Sequence, residues 1–137
     1  MRFLLALLLL TIAPILGAQA KPGAASLQGN WHQIVSNAGQ CEDCRISIQR
    51  KGLDFHVTAS NGWSAVVRPQ SGDVSLVLGK GHWQPDSGGT YGGRSFELLL
   101  GVIDNKLVMI MTVRKPGGRI SQIRAAFKKQ RPAGEAI

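Results

Sequence analysis

From residue 31 to residue 128, apolar and polar positions alternate in short bursts separated by turn residues, as half-buried β-strands require. Leu53, Phe55 and Val57 alternate with Asp54, His56 and Thr58. Asn61-Gly62 follows, the pair favoured in two-residue hairpins, and Trp63, Ala65 and Val67 then share a face. The same reading predicts strands at 31–35, 45–49, 73–78, 95–102, 107–114 and 119–128. Pro69–Gly72, Asp104-Asn105 and Lys115–Gly118 supply turns. No segment sustains a helical period.

Short links between successive strands imply an antiparallel meander. Closing eight such strands into an up-and-down barrel removes both unpaired edges. The expected fold is therefore all-β, an eight-stranded antiparallel up-and-down meander closed into a small barrel. An open two-sheet sandwich of the same strands is the alternative. The predicted inward stripe is Leu53, Phe55, Trp63, Val67, Leu76, Leu78, Phe96, Leu98, Leu100, Leu107, Met109 and Met111. Such a stripe lines an apolar cavity or fills a solid core, because a barrel of this size needs only side chains to fill it.

The first twenty residues break this pattern. Arg2 precedes an apolar run from Phe3 to Leu16, and Ala18-Gln19-Ala20 has the small-x-small form of a cleavage site. Residues 1–20 read as a secretory signal, leaving 21–137 as one domain in the periplasm or outside the cell. The formal net charge is +8 before Arg2 is lost. Export makes nucleic acid a poor partner and leaves anionic lipid, acidic polysaccharide or protein as candidates. Cations concentrate in Lys106–Arg131, and no carboxylate falls between Asp104 and Glu135. This segment is a candidate contact with an anionic surface; the plainer reading is a solvated, aggregation-resistant face.

Cys41-Glu42-Asp43-Cys44 holds the two cysteines. In an exported chain a structural disulfide is expected. A redox role is disfavoured because Glu42 and Asp43 raise thiol pKa values. Metal binding lacks further ligands at a recognisable spacing. His32, His56 and His82 are scattered, no serine stands in a nucleophile elbow, and Asp54 and Glu97 are isolated. No enzyme activity, cofactor or metal is expected.

The glycine-rich stretch Gly79–Gly93 reads as the longest loop, with six glycines. It carries Lys80, His82, Trp83 and Tyr91, and long loops in compact domains are often functional. Together with Trp63 these residues are the candidate contacts, either as a lid over a barrel mouth or as a docking loop.

Gly29-Asn30-Trp31 near the start and Arg124 in the last strand resemble the calycin architecture of lipocalin and avidin-like barrels. The resemblance implies that Trp31 packs across the closed end with the Arg124 guanidinium over its ring. Such a cation–π pair contributes about 0.5–2 kcal/mol. It transfers the fold and no ligand-contacting residue. The function expected is an exported small β-barrel binding a small apolar ligand. The alternative is a periplasmic protein-binding module, such as a protease inhibitor, acting through Gly79–Gly93. Lysozyme as its target conflicts with the positive charge.

Overall fold

The computed structural model describes residues 27–70 and 73–131. The expected leader, residues 1–20, lies outside them. Eight strands follow in order: β1 Gly29–Ser36, β2 Arg45–Lys51, β3 Asp54–Ala59, β4 Trp63–Gln70, β5 Asp73–Trp83, β6 Ser95–Ile103, β7 Lys106–Arg114 and β8 Ile120–Lys129. Each pairs antiparallel with the next, and β8 pairs back onto β1, so the sheet is a closed barrel. Closure gives every strand two neighbours and leaves no open edge.

Turn chemistry sets the links. Asp104 (φ 50°) and Asn105 (φ 62°) both occupy the left-handed region, as a two-residue type I′ hairpin demands, and Ile103 faces Lys106 across it. At Asn61-Gly62 only Gly62 has positive φ, and the Gly62 N–H donates to the Ala59 carbonyl. That link is a three-residue turn, Ser60–Gly62, in place of the expected two-residue one.

Alternate positions point inward and make one core. Phe55 and Val57, Trp63, Ala65 and Val67, Phe96, Leu98 and Leu100, and Leu107, Met109 and Met111 are all buried in it. Fully burying side chains of this kind is worth about 1.5–3 kcal/mol each before chain entropy is subtracted.

Three residues of the expected stripe are not inside. Leu53 is 72% exposed, because it sits in the turn before β3. Leu76 and Leu78 are exposed on the outer face, and Val77 takes the inward position. The inward parity of β5 continues through Gly79 and Gly81 to Trp83, so the loop expected at Gly79 begins only after Trp83. Two of its six glycines, Gly79 and Gly81, belong to the strand. A Cβ at Gly79 would lie 1.9 Å from the Val66 carbonyl oxygen, and one at Gly81 2.2 Å from that of Ser64. Here β4 presses too closely on β5 for any side chain, which is why glycine stands mid-strand. Outside, Leu78 faces Leu99, and Leu99 faces Ile110, so the outer leucines shield one another across β5, β6 and β7.

The end holding the start of β1 and the end of β8 is plugged. Leu27 and Trp31 are buried there, and the Trp31 indole N–H donates to the Leu27 carbonyl at 2.9 Å. The cation over the Trp31 ring is Lys129, its Nζ 5.4 Å from the centroid. This corrects the expected Trp31–Arg124 pair. The register places Lys129 opposite Trp31, whereas Arg124 lies five residues back along β8, exposed, opposite Ile110. Gly29 adopts φ 128°, and a Cβ there would come within 2.9 Å of the Lys129 side chain. The Gly-x-Trp spacing thus serves the closed end, with lysine as the cation.

Candidate functional site at the barrel mouth

The opposite end gathers four connections: Asn37–Cys44, Ser60–Gly62, Gln84–Arg94 and Lys115–Arg119. Between them lies a cavity of about 280 Å³. Trp63, Met109, Met111, Ile123 and Phe127 contribute from the core, and Trp83, Gly88 and Tyr91 from β5 and the link after it. Gln33, Ser36, Gln40 and Asn61 line it with uncharged polar groups.

Each wall has a local cause. β5 ends at Trp83, whose ring is held edge-on by Trp63 (6.5 Å, 62°) and stacked by Tyr91 (5.9 Å, 23°). Phe96 meets Trp63 at 90° and 5.6 Å. Such aromatic pairs add about 0.5–1.5 kcal/mol each beyond buried area. The link after β5 folds onto the barrel through a 3₁₀ turn, Gly89–Tyr91, rather than extending into solvent. Tyr91 pins it: its hydroxyl lies 3.1 Å from the Ser121 hydroxyl on β8, and Lys115 Nζ stands 5.6 Å from its ring.

The facing link is also anchored. Cys41 and Cys44 form a disulfide with Cα atoms 5.3 Å apart, and both line the cavity. Cys44 is buried at the head of β2. The pair therefore sits beside a strand, away from the helix N-terminus that lowers thiolate pKa in redox pairs. The Gln33 N–H donates to the Cys44 carbonyl, and the His32 ring bonds the Glu42 carbonyl. Asn37 ties the end of β1 to β8, accepting the Arg124 N–H at 2.8 Å and donating to the Gln122 carbonyl at 3.1 Å.

One polar atom stands out. Trp83 is 5% exposed, and among the described residues its indole nitrogen is the buried side-chain polar atom without a hydrogen-bond partner. Leaving a buried donor unmet costs about 1–3 kcal/mol.

The residues singled out from sequence divide into two groups. Trp63, Trp83 and Tyr91 converge on the cavity. Lys80 and His82 do not: they lie on the outer face of β5, where Lys80 faces Glu97 and His82 faces Ser95. Ile123, Phe127, Gln33 and Ser36 were not anticipated as lining residues. Gln33 did carry a signal, a polar group on the inward parity set by Trp31.

The basic segment is split. Lys106, Lys128, Lys129 and Arg131 border an open depression at the plugged end. Lys106 faces Lys128, and Lys128 faces His32. Arg114, Lys115 and Arg119 lie at the mouth end of the same hairpin, about 27 Å away at 3.4 Å per residue. The expected single flank is therefore two clusters, with Arg124 between them.

Among the described residues no three of His, Cys, Asp and Glu stand close enough to hold a metal ion. No helix there is long and apolar enough to cross a membrane. Asp54 lies near the plugged end, and a hydrogen bond from Arg68 (2.7 Å) holds its pKa below the ordinary value. No protein-family model, no curated protein and no solved structure matches the chain.

Proposed function

We propose that this protein is an exported binding protein that takes a small, mainly apolar ligand into the mouth of its barrel. The carrying observation is the asymmetry of the core. One end is closed by Leu27 and Trp31, while the other keeps a cavity of about 280 Å³ walled by aromatic and methionine side chains. Ligand sites are typically of this kind, concave and mostly apolar with a few placed polar groups. A closed eight-stranded barrel with Gly-x-Trp at its plugged end is compatible with a calycin-like carrier. The apolar leader ending in Ala18-Gln19-Ala20 and the Cys41–Cys44 disulfide support residence in an oxidising compartment.

The inward turn of Trp83 and Tyr91 favours a lid over a docking loop, because these rings spend their area on the cavity wall. The facing cations Lys106 and Lys128 favour a secondary contact with an anionic surface, since like charges directly opposite cost stability unless something neutralises them.

Native mass spectrometry of the protein purified gently from its own host is the test. The expected result is an added mass of a few hundred daltons or less that disappears on denaturation. A bare chain that also ignores apolar fluorescent probes would end this reading.

A further inference from the structure

We infer that the ligand of this cavity is a neutral, two-ring-sized apolar molecule carrying a hydrogen-bond acceptor, which receives the indole N–H of Trp83. This deepens the carrier reading and rests on it. Three observations meet at one wall.

The first is the unmet donor: Trp83 lines the cavity, is 5% exposed, and its nitrogen has no acceptor within the described protein. The same chain shows what it does with an indole meant only for packing. Trp31, equally buried, is given the Leu27 carbonyl at 2.9 Å. An orphaned N–H in a native protein calls for a specific explanation, and a ligand acceptor supplies one.

The second is topology. In a closed ring of eight strands, β1 and β5 are four strands apart in either direction and stand on opposite walls. Of the polar lining groups, Gln33, Ser36 and Gln40 come from β1 and the link after it, and Asn61 from the link before β4. The first three therefore belong to the wall opposite β5, and Asn61 is the polar side chain on the Trp83 side. A water bound at the indole needs two to four polar partners, which the aromatic wall of Trp63, Tyr91 and Trp83 supplies poorly.

The third is size and charge. An apolar cavity of about 150 Å³ accepts one benzene ring, so about 280 Å³ suits a body of roughly two rings. No carboxylate lines the cavity, and its one cationic lining residue, Arg45, is an exposed rim residue whose strand position faces outward beside His32. An ionised ligand would be buried without a counter-charge, which is costly, so a neutral ketone, ester or ether fits best.

Benzophenone and diphenylmethane are matched probes: similar two-ring bodies, with and without a carbonyl acceptor. The protein as it exists is labelled with ¹⁵N at its tryptophan indoles and titrated with each, affinities being read in parallel by calorimetry. The expected result is benzophenone binding about tenfold more tightly, with a downfield shift of the Trp83 N–H that diphenylmethane does not produce. In Trp83→Phe the two probes should bind alike. Should that variant fail to fold, the Trp83 resonance of the native chain decides alone. Equal affinities in the native chain, with the Trp83 N–H unmoved by the ketone, would overturn the acceptor while leaving the carrier reading intact. Binding of neither probe would overturn this inference, whereas the carrier reading falls only if native mass spectrometry also shows a bare chain.

Discussion

The two ends of the barrel use tryptophan in opposite ways. At the plugged end Trp31 is buried, hydrogen-bonded to Leu27 and covered by Lys129. At the mouth Trp83 is as deeply placed and stacked on Tyr91, yet its N–H is unmet. Identical chemistry is thus fully satisfied where the fold needs closure and left unsatisfied where a cavity begins. The comparison teaches that burial alone does not mark a site; burial with an unmet polar group beside a cavity does.

The largest expected effect lies at the closed end. Trp31→Ala should cost about 3–5 kcal/mol in chemical denaturation, the usual range for a fully buried aromatic. A cost below about 1 kcal/mol would mean that the plug is not structural. Next, Cys41→Ser with Cys44→Ser should cost about 2 kcal/mol, the loop-closure value for so small a ring. Its ligand affinity should fall as well, because both residues line the cavity. An unchanged affinity would show that the rim does not shape the site. The sharpest comparison is between two conservative changes. Trp31→Phe strands the Leu27 carbonyl, whereas Trp83→Phe removes a donor that already lacked a partner. The first should therefore cost more than the second by at least about 1 kcal/mol in matched denaturation curves. Equal costs would break the contrast.

The smallest effect concerns pH. Arg68 lowers the Asp54 pKa, chiefly through its hydrogen bond, so the folded chain holds this carboxylate below its unfolded value. Its contribution is present above the ordinary carboxylate pKa, near pH 4, and fades as pH falls through the lowered folded value. Asp54→Asn should flatten the acid limb of a stability-versus-pH series only slightly, while ligand affinity at the far mouth stays level across it. A pH-dependent affinity that follows Asp54 would contradict the separation of the two ends.

Much of the fold was legible because alternation reports directly on a sheet with one face inside. Phe55 and Val57, or Leu98 and Leu100, sit in the core as their spacing required. The exceptions have physical causes. Leu76 and Leu78 look like core residues, but β5 turns Val77 inward and leaves both leucines on the outer face, Leu76 opposite Gly101 and Leu78 opposite Leu99. Gly79 and Gly81 look like loop residues because their role is to omit a side chain where two backbones meet, and that demand comes from β4. The lysine over Trp31 was misassigned to Arg124 because cross-strand register is invisible until both strands are paired. At the site, Trp63, Trp83 and Tyr91 were marked by their chemistry. Lys80 and His82 travelled with them only through sequence proximity, and period-two geometry sent them to the other face.

The pairing of β1 with β8 has a kinetic consequence. It joins the first strand to the last, so the contact that seals the barrel spans nearly the whole described chain and forms at the highest loop-closure entropy. Domains dominated by such distant pairings fold in milliseconds to seconds rather than microseconds. During synthesis the ring stays open until Lys129 has emerged, and an open ring is still a chain that can be threaded.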